Sequence, residues 1–298
     1  MGNPGLIGDK LRRVRAIFRI PAIAADTRRL LAMQEIGRLR AELPRGRLEC
    51  HGWSAYSQND EDGILDEIFR RIGVRHHSFV EIAAGDGLEN NTTYLLAQGW
   101  HGVWAEADLK RAQKAARRFS AAIAAGQLVL ERQMVTIANV NAVAVQAGAE
   151  VDLLSLDVNG IDYYLWNALR SVSPRVVVIE YNALFRPPVS WRIPYADDFR
   201  WDGRTTYYGA SLAALDELGR AKGYGLVTCN LTGINAFFVR RDLLDPFDGP
   251  FEAARLYQPA RHALQGGFNL GHVRGFGPQQ VLPGVSRTET PEPAATGV

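Results

Sequence analysis

The sequence predicts an α/β protein: an open, mostly parallel sheet with helices on both faces and a helical extension at the N-terminus. Three observations predict it. Short apolar or β-branched runs at 79–82, 101–106, 127–130, 151–157 and 175–182 alternate with stretches of helical periodicity, the signature of repeated strand–helix–strand units. Several of these runs close on an acid or amide (Glu81, Glu106, Asp157, Glu180, Asn182), which gathers polar groups at the carboxyl edge, where open α/β sheets bind ligands. Two final runs, 224–230 and 235–241, are separated by four residues and read as a hairpin-like pair that ends the sheet.

The stretch Phe79-Val80-Glu81-Ile82-Ala83-Ala84-Gly85-Asp86-Gly87 is a buried first strand followed by a glycine-bearing turn. Gly85 and Gly87 let the backbone approach a ligand closely. A dinucleotide loop would want a third glycine where Asn90 stands, and an apolar residue where Glu81 stands. An acid before the turn suits a ligand that offers a cation, such as the amino group of S-adenosylmethionine. Glu106 closes the second strand about 20 residues beyond the turn, the separation at which a carboxylate accepts from ribose hydroxyls in such folds.

Glu81-Ile-Ala-Ala-Gly85-Asp-Gly87 resembles motif I of the Rossmann-like class I S-adenosylmethionine methyltransferases. Tyr56-Ser-Gln-Asn-Asp-Glu-Asp62 and Asn91-Thr-Thr-Tyr-Leu95 resemble the FkbM-like branch, and the likeness spans about residues 56–241. It implies seven strands, the last antiparallel, and S-adenosylmethionine held by Gln58, Glu81, Ala83, Gly85, Gly87, Glu106 and Asp157. Ala83 replaces the first glycine of the motif, so an alanine-compatible backbone is expected there. Asp157 takes the place nearest the transferred methyl.

Composition sets the frame. The chain has 298 residues, 47% of them hydrophobic and 22% charged, which suits one α/β domain with appendages. The formal charge of +2 implies no nucleic acid. Cys50 and Cys229 fit no metal spacing and read as free thiols. No apolar run approaches the ~18 residues of a membrane span, and arginines 12, 13, 15 and 19 interrupt any signal-like core, so the expected location is cytoplasmic.

Residues 1–49 read as a basic helical extension of two helices divided at Pro21. Leu30, Met33, Ile36, Leu39 and Leu43 form an apolar stripe among arginines. The stripe packs on the domain or on a second copy in a homodimer; the alternative is peripheral contact with anionic lipid or an acidic glycan. Residues 50–250 form the cofactor-binding domain. It opens with a helix over 56–73, capped by Gly73, and after the turn Asn91 or Thr92 caps a short helix. An alanine-rich helix is expected over 109–125, another over 139–147, and one after Asp157 in which Asp162 serves as cap. Residues 183–208, with Arg186, Trp191, Arg192, Trp201 and Arg204, are too long for an ordinary connection and read as a lid or substrate insertion. A helix over 211–222 follows. Residues 251–282 are a covering segment with His262 and His272, and 283–298 a disordered tail.

Methyl transfer from a sulfonium needs donor and acceptor in line, and removal of a proton where the acceptor is a hydroxyl. Asp157, Glu180 and His262 are the catalytic candidates. Asp157, Glu180 and Asn182 could instead present oxygen ligands to Mg²⁺. The resemblance favours O-methylation of a sugar or other small-molecule or glycan hydroxyl. N-methylation of a small molecule or peptide, an NAD-dependent oxidoreductase and a catalytically idle binding protein are the alternatives.

Overall fold

The computed structural model describes residues 4–268 and 274–276. Among them one sheet forms from β1 (Ser78–Ile82), β2 (His101–Ala105), β3 (Leu128–Glu131), β4 (Leu153–Leu156), β5 (Val176–Glu180), β6 (Tyr224–Cys229) and β7 (Asn235–Arg240). The order is β3-β2-β1-β4-β5-β7-β6. β1 to β5 pair in parallel, and β7 runs antiparallel to both β5 and β6. This is the Rossmann-like mixed sheet expected from the sequence. The strand order reverses between β1 and β4, so the crevice at their carboxyl ends is the topological switch point.

Alternation along each strand feeds two cores. Val80, Ile82, Val103, Leu154 and Ile179 face α6 (Val140–Ala144), α7 (Asp162–Ala168) and α8 (Leu212–Ala221). Phe79, Trp104, Leu153 and Val178 face α2 (Glu61–Ile72), α3 (Thr93–Ala97), α4 (Leu109–Arg118) and α5 (Ser120–Ala124). The second face also receives Glu81, whose register partners are Trp104 and Ser155. At the amino edge the buried Asp152 accepts from Arg175 at 2.8 Å and from the N–H groups of Arg75 and His76. Arg175 also donates to the carbonyls of Ile72 and Gly73. That cluster ties the end of α2 to β4 and β5.

Four expectations need correction. One helix, α1 (Pro4–Glu42), runs through Pro21 instead of two helices divided there. Its packed side is Ala32 and Ile36, with Leu39 and Leu43 half-buried, against Leu231, Leu264 and Phe268; Leu30 and Met33 of the expected stripe are exposed. The helix expected from residue 56 begins at Glu61, because Asp62 Oδ2 accepts the N–H groups of Ala55, Tyr56 and Ser57 and folds that stretch into a turn. The helix over 109–125 breaks at Phe119, which swings under the sheet to meet Trp104 with ring centroids 4.7 Å apart.

The connection from β5 to α8 is irregular and anchored at both ends. Asn182 Nδ2 donates to the carbonyls of Thr206 and Tyr208, and Arg192 bridges Ala210. Phe199 of this insertion lies where a side chain on Gly160 would have to go, its ring 2.4 Å from the position of an added Cβ, so the insertion closes over the loop after β4. The covering segment is described over 251–268 and 274–276, with α9 (Ala253–Leu256) and a 3₁₀ turn at His262–Gly267; His272 and the tail at 283–298 lie outside the described residues.

Candidate active site

The loop after β1 is left-handed at three of its five residues. Ala83 has φ +67°, Gly85 +65° and Gly87 +81°. The alanine-compatible backbone expected at position 83 is therefore not found: Ala83 keeps the conformation that a glycine would take freely. Its N–H donates to the Ala105 carbonyl at 2.8 Å, which docks the loop on the end of β2. A Cβ on Gly87 would lie 2.3 Å from Phe119, whereas one on Gly85 would enter open space. Gly85 is thus the point where a ligand can reach the backbone.

Glu106 stands beside it. Its Oε2 accepts from Gly85 N–H at 2.7 Å and its Oε1 from Asp108 N–H at 2.6 Å. Glu106 is only 6% exposed, because the loop folds over it. Each oxygen keeps a further lone pair for a ligand hydroxyl.

Glu81 does not face the ligand crevice as the sequence suggested. Strand alternation turns it under α3, where Oε1 accepts from Asn91 N–H and Ser155 Oγ while Oε2 accepts from the Thr92 hydroxyl. Thr92 in turn accepts from Trp104 Nε1 at 2.7 Å instead of capping α3. Burial raises the Glu81 carboxyl to about 7, against the lowering effect of those donors. Glu81 is the keystone of the loop, not a ligand for an amino group.

Asp157 and Glu180 meet. β4 and β5 pair Leu156 with Ile179, so the next residues on each strand lie side by side at the carboxyl edge. Their carboxyls lie within hydrogen-bonding reach of one another. Burial, and then the neighbouring acid charges, raise Asp157 to about 7 and Glu180 well above its usual range. The two share a proton near neutrality. Asp162, in contrast, is committed to structure, accepting from Val158 and Gly160 N–H.

The Mg²⁺ expectation is not met by the donor set. Asn182 is committed elsewhere, its Oδ1 accepting from Leu184 N–H and its amide holding the insertion, which leaves two carboxyls of the three expected ligands. Among the described residues no group of three or more His, Cys, Asp or Glu is placed to hold a metal.

A cavity of about 330 Å³ begins at Asn182, two residues beyond Glu180, and is bounded by Arg186, Trp201 and Tyr208 of the insertion and Tyr257 and His262 of the covering segment; neither acid lines it. Burial, then the charges of Glu180 and Asp157, push the Tyr208 hydroxyl up, so the phenol stays protonated. His262 is exposed at this mouth and is not shown in contact with the acid pair. Gln58 is exposed in the turn before α2.

Sequence reasoning missed what the residues beside Gln58 do. Glu61 is fully buried and accepts from the side-chain amides of Asn59, Asn230 and Asn235 at 2.7–2.9 Å. Because a carboxylate only accepts, it fixes the orientation of all three amides. The signal was the run Asn59-Asp60-Glu61-Asp62, four polar residues that all prove buried; their helix-start position suggested capping instead. Asp60 is raised to about 8 by burial and by Glu61, with Arg40 of α1 3.8 Å away.

No family model and no curated protein matches this sequence. Solved structures similar to the chain are S-adenosylmethionine-dependent methyltransferases. Magnesium protoporphyrin IX methyltransferase from Synechocystis PCC 6803 with bound SAM is 14% identical, with 61% of this chain and 79% of that chain covered and a TM-score of 0.41. The N-terminal domain of EvdMO1, crystallised in the presence of SAH and D-fucose, is 12% identical over 70% of this chain and 96% of that one, with a TM-score of 0.41. An S-adenosylmethionine-dependent methyltransferase from Clostridium acetobutylicum ATCC 824 is 12% identical over 68% and 94%, with a TM-score of 0.37. The sheet order, not these similarities, establishes the architecture.

Proposed function

We propose that this chain is an S-adenosylmethionine-dependent methyltransferase of the FkbM-like branch that methylates a hydroxyl of a sugar or other small molecule. The observation that carries the reading is the Asp157–Glu180 pair at adjacent strand ends, one strand from the glycine loop and two residues before Asn182, where an aromatic cavity begins. An alkyl hydroxyl is a poor nucleophile until its proton has somewhere to go. A carboxyl pair that holds one proton between two sites and titrates near neutrality suits that task. An amine needs such a group only to shed its ammonium proton, whereas a hydroxyl needs it during attack, so the pair suits oxygen best.

In this reading the Gly85 region and Glu106 hold the adenosine part of the cofactor, the loop fixed from beneath by Glu81. Trp201, Tyr208 and Tyr257 give an acceptor ring flat apolar walls, with Arg186 and His262 at the mouth. The cofactor supplies the electrophilic methyl. The protein's own contribution is to hold the hydroxyl against Asp157 and to exclude water with the insertion.

The test is calorimetric titration with S-adenosylmethionine, S-adenosylhomocysteine and NAD, followed by methyl transfer to a panel of sugars. Binding of the first two and not of NAD is expected. NAD binding alone would overturn the reading in favour of an oxidoreductase. A second reading, an idle binding protein, is favoured by the engagement of both Glu106 oxygens with backbone N–H groups. Cofactor binding with no transfer to any acceptor would support it.

A further inference from the structure

A second cavity, of about 390 Å³, shares no residue with the aromatic cavity bounded by Trp201, Tyr208 and Tyr257. Four arginines line it from three separate stretches of chain. Arg45 and Arg47 come from the turn after α1, Arg71 from the last turn of α2, and Arg255 from α9. Asp248 is the one acid in its lining.

Gathering guanidinium groups costs repulsion, and here only half of it is offset within the protein. Arg47 donates to both oxygens of the buried Glu49, at 2.5 and 3.1 Å. Arg71 donates to Glu67 at 2.7 Å and to the Gly46 carbonyl at 2.8 Å, and lies over the Phe247 ring. These two are fixed in orientation. Arg45 and Arg255 are exposed, and no carboxylate among the described residues pairs with either. The cavity therefore has two oriented cations, two unpaired ones, and an apolar floor that includes Leu48, Val227, Phe247 and Leu256.

We propose that this cavity binds the phosphate of an organic phosphate ester, its oxygens bridging Arg45 and Arg255 with Arg47 and Arg71 behind, and its apolar part on the floor. Guanidinium forks match phosphate oxygens in pairs, and a phosphate presents more oxygens to several forks at once than a carboxylate does. The site is independent of the methyltransferase reading. The ester has two sources, a soluble metabolite or a lipid headgroup, and the same oxyanion chemistry serves both.

The test compares the full-length protein with the double variant Arg45→Ala/Arg255→Ala, which removes exposed and unpaired side chains; thermal unfolding followed by circular dichroism checks that the fold is unchanged. Saturation-transfer NMR with phenyl phosphate, with benzoate as the carboxylate control, reads the site directly. Co-sedimentation with phosphatidylglycerol and with phosphatidylcholine vesicles reads the lipid source. Affinity for phenyl phosphate should fall at least about tenfold in the variant, as expected when charge-assisted hydrogen bonds are lost, and should exceed that for benzoate in the wild type. Vesicle binding that falls in the variant assigns the headgroup; phenyl phosphate binding without vesicle binding assigns a soluble ester. Equal affinity in variant and wild type, benzoate binding as well as phenyl phosphate, or no binding of any probe would overturn the proposal.

Discussion

Glu106 Oε2 accepts a hydrogen bond from the backbone N–H of Gly85 at 2.7 Å, across 21 residues of sequence and between two neighbouring strand ends. The glycine turn and the second-strand acid, two separate features of the sequence, are thus one structural unit. Glu106→Ala should weaken S-adenosylhomocysteine binding by roughly 1.5–3 kcal/mol in calorimetry, the value of a hydrogen bond to a charged group. Glu106→Gln, which keeps an oxygen for Gly85, should fall between. Equal affinity in all three proteins would remove Glu106 from the cofactor site.

Ala83 at φ +67° carries the cost of a side chain in the left-handed region. Ala83→Gly should raise the midpoint of denaturant unfolding, with a gain of about 1 kcal/mol before the greater freedom of glycine in the unfolded chain is subtracted. A lower midpoint would show that the Ala83 methyl is held by contacts worth more than the strain.

Asp157→Asn should cut turnover by about 10²–10⁴-fold while cofactor affinity stays within a few fold. Wild-type activity should rise with pH through about 7, where Asp157 gains its charge, and should resist chelators, since the donor set does not fit a metal. Glu180, held protonated, donates to Asp157 and lowers it, so Glu180→Ala, which removes that donor, should move the midpoint of that pH profile up. A profile that does not move would separate the two acids functionally.

Stability should fall between about pH 4 and 7. The folded state binds protons on Glu81 and Asp157 up to about pH 7, whereas their unfolded counterparts release them near pH 4, so the folded form holds more protons across this window. Their contribution is therefore present at low pH and lost as pH rises through the folded values. Melting temperatures of the wild type and Glu81→Gln over this range provide the check: the variant's slope should be shallower, and an unchanged slope would mean that Glu81 does not titrate as described.

α1 presents Ile23, Leu30 and Leu31 outward while Ala32 and Ile36 pack inward. We propose that the outward face forms the contact of a homodimer. Light scattering of the double variant Leu30→Glu/Leu31→Glu, which changes exposed positions and leaves the packed Ala32 and Ile36 in place, should show half the mass of the wild type. Two monomers would exclude the dimer.

Strand positions were legible because burial on both faces writes itself as uninterrupted apolar runs, and β1, β2 and β5 begin and end within two residues of where those runs do. The pairing of Asp157 with Glu180 needed only the adjacency of β4 and β5, which the family resemblance implied. What stayed hidden depended on which way a side chain turns. Glu81 sits at the expected strand end, yet period-two alternation sends it beneath the sheet to Thr92. Asn182 looked like a metal ligand by residue type, but its amide is spent on carbonyls more than 20 residues downstream. Pro21 likewise suggested a break where the chain simply continues as helix.

The Arg175–Asp152 cluster has an energetic consequence. The amino edge of β4 and β5 is stitched to the end of α2 by a carboxylate with no solvent to share its charge. Taking Arg175 away would strand that carboxylate inside the protein, and a buried charge without its partner is among the costlier faults a fold can carry. The edge of the sheet farthest from the glycine loop is thus where the fold tolerates substitution least.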